Sequence, residues 1–212
     1  MHLNPRTGRD YFNGNVEPEV QAVLQEYLRV GMTFYDVGAN IGFFSLLAAR
    51  LVGARGRVIA FEADPEIAAR LREHVARNDS APISVEEKAV WSSAAPVFFA
   101  RADTSLSPDR GLGHVVGAVA TETAHGTIHV GTVVLDEYAA RVCAPDFIKC
   151  DVEGAEVEVF CGARNILMKK KPIILCEMHG EEKRQALLEE FARLAYRCEP
   201  CGKDHVLAMP SR

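Results

Sequence analysis

The sequence predicts an α/β fold, in which a mostly parallel sheet carries helices on both of its faces. Apolar runs of strand length alternate with longer segments whose apolar residues recur at helical spacing, over most of the 212 residues. This alternation is typical of a parallel sheet, because parallel neighbours need a crossover connection. The first strand and its helix are joined by a glycine-containing turn in FYDVGANIGFFSLLAA, residues 34–49, and such a turn predicts a ligand site.

The individual elements follow from these local patterns. The predicted strands are the runs TFYDV, RGRVIAFEADP up to Glu62, ISVEEKAVW, DFIKCDVEG and PIILCEMHG. The predicted helices are EPEVQAVLQEYLRVG, about 42–51, a helix opened by Pro65, about 155–169 and about 181–194. Pro18 and Pro65 suit a first helical turn, and Gly31 suits a helix end.

Residues 92–134 interrupt the alternation and predict a β-rich insertion between the third and fourth core strands. The segments VFFARADTSLS and GTIHVGTVVLDEY have strand-like patterns, whereas residues 107–125 show no hydrophobic periodicity. We expect residues 107–125 to be either disordered or a lid over the substrate. The whole chain, 1–212, is expected to be one domain with an N-terminal lid and helix over 1–31. Tyr11 and Phe12 could close over a substrate there, or simply pack.

The composition restricts the class of partner. The net charge is -5 and the pI is near 5.8, whereas a duplex nucleic acid would require a basic face. The most apolar run is too short to cross a bilayer, and the polar N-terminus lacks the apolar core of a signal peptide. We therefore expect a cytoplasmic protein that acts on a small molecule, without nucleic acid or membrane. The sequence is compatible with a homodimer.

The six cysteines are expected to be reduced thiols in that compartment. Cys198 and Cys201, with His205 nearby, have the one spacing typical of metal ligands. They supply at most three of the four ligands that a structural zinc site needs. We therefore expect a hairpin of two short strands that turns at PCGKD.

The turn after the first strand has features of a nucleoside site without phosphate. Its spacing is Gly38-x-Asn40-x-Gly42, and Phe43 occupies the place of the third glycine in a dinucleotide fingerprint. The carboxylate of Asp36 beside this turn would repel a phosphate but suits an ammonium or sulfonium group. S-adenosyl-L-methionine carries both groups.

Glu62 ends the second strand and could accept hydrogen bonds from two ribose hydroxyls. A dinucleotide site uses an acid in the same way, so Glu62 does not discriminate between the two cofactors. A simple tight turn in a structural α/β protein is the alternative to a ligand site.

Four segments resemble the FkbM-type S-adenosylmethionine-dependent methyltransferases: FYDVGANIGFFS, VIAFEADP, EKAVWS and DFIKCDVEGAEVEVFCGARNIL. KPIILCEMHG also looks like the fifth strand of that family. The resemblance implies a class I, Rossmann-like three-layer sandwich with a seven-stranded sheet whose last strand is antiparallel. It also implies S-adenosylmethionine as cofactor and O-methylation of a hydroxyl on a natural product, sugar or similar molecule.

The resemblance also implies roles for single residues around the cofactor. The residues expected around its methionine end are Asp36, Gly38, Asn40 and Gly42, with Glu62 on the ribose, Ala63 along the adenine and Ala89 near the adenine edge. Cys150 replaces an aliphatic residue that is common in the family, and residues 107–125 look particular to this chain.

A second group of functional residues follows the fourth and fifth strands. Residues two apart in a strand face the same way, so Lys149 and Asp151 share a face. Glu177 and His179 do the same on the neighbouring strand. We expect Asp151, Glu153, Glu177 and His179 to meet beside the methyl group of the cofactor.

Methyl transfer to an alcohol requires alignment and the loss of one proton. Our candidates for the base are His179 and Glu153, with Asp151 orienting the cofactor or the acceptor. The alternatives are that His179 caps the next helix, and that Glu153 and Glu156 satisfy amides at a helix N-terminus. No metal is assigned, although Asp151, Glu177 and His179 are oxygen and imidazole donors that a divalent ion could use.

Four other functions compete with this hypothesis. An enzyme that methylates nitrogen of a nucleic-acid base would have an Asn/Asp-Pro-Pro-aromatic motif where this chain has CDVEG. A nicotinamide-dependent oxidoreductase would have the third glycine and no Asp36 beside the loop. A protein acceptor and a non-catalytic cofactor-binding partner both remain compatible with the sequence.

Overall fold

The computed structural model describes residues 13–78, 81–101, 113–117 and 126–211, and the elements are numbered within these ranges. The strands are β1 Thr33–Val37, β2 Arg57–Glu62, β3 Ile83–Glu87, β4 Ala89–Val90, β5 Val97–Ala100, β6 His114–Gly117, β7 Thr127–Val130, β8 Thr132–Val133, β9 Phe147–Cys150, β10 Ile173–Glu177, β11 Tyr196–Cys201 and β12 His205–Pro210. The helices are α1 Pro18–Tyr27, α2 Phe43–Val52, α3 Pro65–Ala76, α4 Leu135–Arg141, α5 Glu156–Cys161, α6 Arg164–Lys169 and α7 Glu181–Arg193.

The central sheet has seven strands in the order β11-β12-β10-β9-β1-β2-β3. The strands β3, β2, β1, β9 and β10 run parallel to one another, and β12 runs antiparallel to β10. The sheet confirms the predicted class I methyltransferase architecture with an antiparallel last strand. The order reverses at β1, whose neighbours are β2 and β9, so the carboxyl ends of these strands meet where open α/β sheets bind ligands.

Both faces of the central strands β1, β2, β9 and β10 are buried, as is typical of a parallel sheet. Alternate residues separate into two apolar clusters, because successive side chains of a strand point to opposite faces. Phe34 and Val58 lie in the cluster that includes residues of α1 and α2, whereas Tyr35 and Ile59 lie in the cluster that includes α4 to α7. None of the described helices has the length and apolar character needed to cross a membrane.

Two predicted elements are divided in the structure. The run ISVEEKAVW bends at Lys88, so β3 joins the central sheet while β4 pairs with β8 in a separate parallel pair. The predicted helix 155–169 is two helices, α5 and α6, with Gly162 between them. Gly162 fits closely against the chain there, since a Cβ on it would lie 2.6 Å from the carbonyl oxygen of Trp91. The close contact explains a glycine at the break.

The insertion is β-rich, as predicted. Its strand β5 pairs antiparallel with both β6 and β7 in a three-stranded sheet. The strand β6 falls inside the segment 107–125, where His-Val-Val-Gly at 114–117 pairs with β5, so disorder is wrong for these four residues. A lid over the substrate stays a prediction. The rest of that segment, apart from Gly113, lies outside the described residues, as do Tyr11 and Phe12.

The predicted hairpin at PCGKD is confirmed, because β11 and β12 pair antiparallel and Cys201 is opposite His205. Cys198 packs against one apolar cluster and Cys201 against the other. The two thiols therefore lie on opposite faces of the sheet, which does not suit a shared metal ion.

Candidate functional site

The loop of residues 38–42, here called the glycine loop, uses its own backbone amides to bind the protein. Gly38 N and Ala39 N both donate to the carbonyl of Phe61, at 3.0 and 2.9 Å, and Gly42 N donates to the carbonyl of Ala39 at 2.9 Å. Asn40 N donates to Glu62 Oε2, and Ile41 N to Asn40 Oδ1, each at 2.7 Å. All five amides therefore have protein acceptors, whereas a phosphate cradle needs unpaired amides.

Glycine is required at both ends of the glycine loop. Gly38 has φ +78 and Gly42 has φ +88, a region that favours glycine. A Cβ on Gly38 would lie 1.8 Å from the carbonyl oxygen of Asp151, and one on Gly42 would lie 2.2 Å from Leu71 Cδ1. Asn40 between them has φ 51, which asparagine tolerates better than most residues. The sequence spacing is thus explained by close backbone approach.

Glu62 connects the ends of β1 and β2. Its Oε2 accepts from Asn40 N at 2.7 Å and its Oε1 accepts from Asp64 N at 2.9 Å. Burial raises the pKa of this carboxyl to about 7, against the effect of these two hydrogen bonds. Each carboxylate oxygen has a second lone pair, so Glu62 keeps acceptor capacity for two hydroxyl donors.

The two alanines assigned to the adenine are brought together. Ala89 is buried in a small apolar cluster with residues of β5 and β7, and Ala63 and Trp91 pack against the same cluster. Arg101, at the end of β5, closes this region with two hydrogen bonds to Asp64, at 2.9 and 3.2 Å. The insertion is therefore attached to the residues that follow Glu62.

Asp36 is fully buried under the glycine loop. Its Oδ2 accepts from Ser45 Oγ at 2.6 Å, and its Oδ1 has no hydrogen-bond partner among the described residues. Burial raises the pKa of Asp36, although Lys149, 3.9 Å away, and Ser45 act in the opposite direction. A carboxylate with no exposure would act on a ligand through its field, and direct contact of Asp36 with a cofactor stays a prediction.

Lys149 is the buried cation between the two sides of the site. Its side chain is 2% exposed and its Nζ lies 3.3 Å from Asp151 Oδ2 and 5.1 Å from the centroid of the Phe44 ring. Burial alone would lower the pKa of Lys149, but the carboxylates of Asp151, Asp36 and Glu17 outweigh burial and raise it. Lys149 is therefore a charged lysine that neutralises Asp151.

Glu17 and His205 extend this buried group toward α1. Glu17, at the start of α1 with φ 42, has its Oε2 3.5 Å from His205 Nε2. His205 begins β12 opposite Glu177. Burial raises the pKa of Glu17 and lowers that of His205. The segment before α1 thus contacts the same end of the sheet as the glycine loop.

Four side chains meet at the ends of β9 and β10, as predicted, and are here called the carboxylate corner: Asp151, Glu153, Glu177 and His179. His179 Nε2 lies 3.3 Å from Glu153 Oε2 and 3.8 Å from Glu177 Oε1. Asp151, Glu177 and His179 offer ligand atoms that all lie within 4.8 Å of one another, the one group of this kind found among the described residues. Glu153 has φ 53, and this conformation turns the chain sharply after Asp151.

The buried carboxylate of Glu156 supports His179 from behind. Its Oε1 lies 2.7 Å from His179 Nδ1 and accepts from Gly154 N at 2.9 Å. Gly180, and not His179, precedes the first residue of α7 as its cap. The alternative that Glu156 satisfies an amide near a helix start is thus also realised, because one oxygen serves both partners.

The charges of the carboxylate corner shift its pKa values strongly. Burial and the neighbouring Asp151 raise the pKa of Glu177 to about 8. Burial acts to raise the pKa of Asp151, but Lys149 and a hydrogen bond with Glu177 outweigh burial and lower that pKa. Hydrogen bonds to Glu153 and Glu156 raise the pKa of His179 to about 11. His179 is held as an imidazolium in this state, so the role of base for His179 stays a prediction that needs loss of this proton.

The sequence reasoning missed four contributors to the site. They are Glu17, Arg101, Glu156 in its contact with His179, and His205. Glu156 belongs to the quoted DVEGAE motif, where its spacing of three residues from Glu153 gave a signal. Glu17 and Arg101 carry no local pattern, because their partners are distant in the chain.

Comparison with known proteins identifies the family and the fold. The sequence model of the methyltransferase FkbM domain matches residues 36–201. A curated relative, the hexuronic acid methyltransferase AglP of Haloferax volcanii, is 30% identical over 166 residues, which cover 77% of this chain and 63% of that protein. The chain thus spans less than two thirds of the length of that relative.

Solved structures share the fold at low sequence identity. The FkbM methyltransferase of Methylobacillus flagellatus matches with a TM-score of 0.61 at 19% identity, over 87% of this chain and 45% of that chain. Fibrillarin of Aeropyrum pernix, solved with bound S-adenosylmethionine, matches with a TM-score of 0.54 at 14% identity, over 89% of this chain and 72% of that chain. These matches show the class I methyltransferase fold.

Proposed function

The chain belongs to the FkbM methyltransferase domain family, and on that premise we propose that it transfers a methyl group from S-adenosylmethionine to a hydroxyl of a small molecule. A sugar or a similar natural product is the acceptor class we favour. The name of the Haloferax volcanii relative, a hexuronic acid methyltransferase, supports a sugar-like acceptor. Fibrillarin supports the cofactor, since that protein binds S-adenosylmethionine on the same fold.

The observation that carries the choice of cofactor is the glycine loop with its satisfied amides. A nicotinamide dinucleotide needs such amides for its pyrophosphate, but here all five have protein acceptors. S-adenosylmethionine has no phosphate and needs acceptors for its ribose hydroxyls instead. The spare lone pairs of Glu62 supply them. Asp36 and Asp151 share one cation, Lys149, so one negative charge is left over, and its potential favours the ammonium and sulfonium groups.

The proposed reaction is an in-line displacement at the methyl carbon. The hydroxyl oxygen of the acceptor forms the new bond to carbon as the methyl–sulfur bond breaks, and the hydroxyl proton must leave. We assign the removal of this proton to Glu153. Its side chain is 32% exposed, so the carboxylate is accessible, and His179 Nε2 positions it from 3.3 Å away. Alignment of the acceptor with the methyl group supplies most of the acceleration.

Calorimetric titration tests the cofactor. We expect S-adenosylmethionine and S-adenosylhomocysteine to bind and NAD⁺ not to bind. Transfer of a labelled methyl group to a panel of uronic acids, neutral sugars, a protein mixture and RNA then tests the acceptor, with mass spectrometry locating the methyl group. Binding of NAD⁺ alone, or methyl transfer confined to protein or RNA, would overturn the proposal.

The role of Glu153 has its own variant. Glu153→Gln is expected to lower kcat about 100-fold while the affinity for S-adenosylmethionine changes little. The matched control is Glu181→Gln, because Glu181 is exposed at the start of α7. Unchanged kcat in Glu153→Gln would remove the assignment of the proton to this residue.

A further inference from the structure

We propose that Asp151, Glu177 and His179 bind one divalent cation, of the Mn²⁺ type, at the carboxylate corner. Their ligand atoms lie within 4.8 Å of one another. Asp151 follows β9 and Glu177 ends β10, and these strands are hydrogen-bonded neighbours in the central sheet. Two ligands of a metal ion with bonds of about 2.1 Å lie about 3 Å apart at a right angle. Small rotations of these side chains would bring the three donors to that spacing.

The orientation of His179 points to a cation. Its Nδ1 lies 2.7 Å from Glu156 Oε1, and the side chain of Glu156 is fully buried. Histidine ligands of metal ions commonly donate one ring N–H to a carboxylate in this way, which directs the other nitrogen to the ion. Here that nitrogen, Nε2, lies 3.3 Å from Glu153 Oε2 and 3.8 Å from Glu177 Oε1, so it is directed into the carboxylate corner. The pair Glu156–His179 has the arrangement of a supported metal ligand.

The charges around His179 give a second, independent argument. The Oε2 atom of Glu156 is buried and has no hydrogen-bond partner among the described residues. Glu153, Glu177 and Asp151 add carboxylates around the same imidazole, and Lys149 contacts only Asp151 among them. A divalent cation at Nε2 would neutralise this excess of negative charge and would compensate the incompletely paired Glu156.

The donor set indicates the kind of ion. Two carboxylates suit Mg²⁺, Ca²⁺ and Mn²⁺, whereas an imidazole suits later first-row metals. Mn²⁺ accepts both donor types, and three protein ligands leave other positions of an octahedral ion for water or for an acceptor. Two neighbouring oxygens of a sugar could occupy such positions, and this step rests on the proposed function. Binding of the ion at Nε2 would displace the proton of the His179 imidazolium to solvent. Glu153 would then no longer be paired with a cationic His179 and would be available for the acceptor proton.

Electron paramagnetic resonance of Mn²⁺ tests the site directly. The 212-residue chain is treated with a chelator, dialysed, and titrated with Mn²⁺ alone, and the signal of the free ion reports the bound fraction. We expect one Mn²⁺ per chain. Pulsed measurements should show coupling to one directly bound ¹⁴N nucleus. Bound Mn²⁺ without this coupling would contradict the ligand set, and this readout needs no variant.

Variants identify the donors. Glu177→Gln and His179→Gln are expected to weaken Mn²⁺ binding at least about tenfold, with circular dichroism confirming that they fold. Glu189→Gln is the matched control, because this carboxylate is on α7 and its side chain is 52% exposed. This substitution should leave the affinity for Mn²⁺ unchanged. Failure to bind Mn²⁺ at millimolar concentration, or equal affinity in all three variants, would overturn the proposal.

The metal site and the proposed function fail in different ways. If the protein binds S-adenosylmethionine and transfers methyl groups but binds no Mn²⁺, the cation site alone is wrong. If Mn²⁺ binds with nitrogen coupling but S-adenosylmethionine does not bind, the cation site stands and the proposed function is wrong. Both measurements use the same purified chain.

Discussion

At the carboxyl ends of β1 and β2 the loop amides all have partners within the protein, whereas at the ends of β9 and β10 carboxylates crowd one another. The glycine loop is fixed by five amide hydrogen bonds. The carboxylate corner instead contains Glu177, with a pKa raised to about 8 by burial and by Asp151. A site whose hydrogen bonds are satisfied is rigid before its ligand arrives, while a crowded set of like charges favours a ligand that neutralises it.

This difference fits the two tasks of the proposed methyl transfer. A cofactor that is the same in every turnover suits a preformed site, since little free energy is then spent on ordering the loop. An acceptor that must lose a proton suits groups whose pKa values have been moved apart. Lys149 lies between the two sides, in contact with Asp151 and near Asp36. We call the glycine loop with Glu62 the preformed side and the carboxylate corner the charged side. Variants can therefore separate damage to one side from damage to the other.

The largest effect is expected at the point where the two sides touch. In Gly38→Ala the new Cβ would lie 1.8 Å from the carbonyl oxygen of Asp151, at φ +78. We expect the free energy of unfolding in urea to fall by about 4 kcal/mol or more, from overpacking and backbone strain together. Gly31→Ala is the control, because Gly31 has φ +92 but nothing within 4 Å of its added Cβ. The free energy of unfolding of Gly31→Ala should fall by about 1 kcal/mol, from backbone strain alone. An equal fall in Gly38→Ala would mean that its contact with Asp151 is not tight.

Removing the buried cation comes next. Lys149→Met is expected to lower the free energy of unfolding by about 3 kcal/mol, because Asp151 and Asp36 then stay buried without a counter-charge. Lys203→Met, at a side chain that is 90% exposed, should change it by less than about 0.5 kcal/mol.

A double variant shows whether charge is the cause of that loss. Adding Asp151→Asn to Lys149→Met removes one of the uncompensated carboxylates and should recover part of the stability. Chemical denaturation of the natural chain, Lys149→Met, Asp151→Asn and the double variant measures this. A loss for Lys149→Met below about 1 kcal/mol would show that the lysine is not needed to neutralise its neighbours.

A smaller, pH-dependent effect on cofactor affinity is expected from a substitution in the preformed side. Glu62→Gln is expected to weaken S-adenosylmethionine binding about tenfold, since an amide oxygen accepts from hydroxyls less strongly than a carboxylate. Glu87→Gln is the control, because Glu87 is on the neighbouring strand β3 in an exposed ion pair with Arg72. Calorimetry should give the same affinity for Glu87→Gln as for the natural chain.

The pH dependence follows from the pKa of Glu62, which burial raises to about 7. Ribose hydroxyls bind best to the ionised carboxylate, so binding favours loss of its proton. The affinity of the natural chain should therefore rise as the pH increases through about 7 and level off above it. In Glu62→Gln this rise should disappear. The same rise in the variant would assign the titration to another group.

The sequence predicted the preformed side more completely than the charged side. Gly38, Asn40 and Gly42 are determined by local backbone geometry, which leaves a pattern in neighbouring residues. The alternation of strands and helices likewise predicted that β9 and β10 are neighbours. That prediction was enough to bring Asp151 and His179 together.

The sequence could not predict contacts between distant segments. Glu17 meets His205 across most of the chain, and their approach depends on how α1 packs on the sheet. The division of ISVEEKAVW was missed because β4 leaves the central sheet to pair with β8, a partner that periodicity does not identify. The charge state of His179 could not be predicted either, because it depends on Glu153 and on Glu156, which lies 23 residues earlier in the chain and is buried behind the ring.

The smallest expected effect tests how far the insertion contributes to the preformed side. The side chain of Arg101 is 25% exposed and contacts Asp64 at 2.9 Å and Glu66 at 2.5 Å. Asp64 directly follows Ala63 in the chain. Arg101→Ala should weaken S-adenosylmethionine binding about threefold, because a partly exposed ion pair contributes up to about 1 kcal/mol. Arg72→Ala breaks the exposed pair with Glu87 and should leave binding unchanged. If both arginine variants bind the cofactor equally well, the insertion does not support the adenine region, and the preformed side consists of the glycine loop and Glu62 alone.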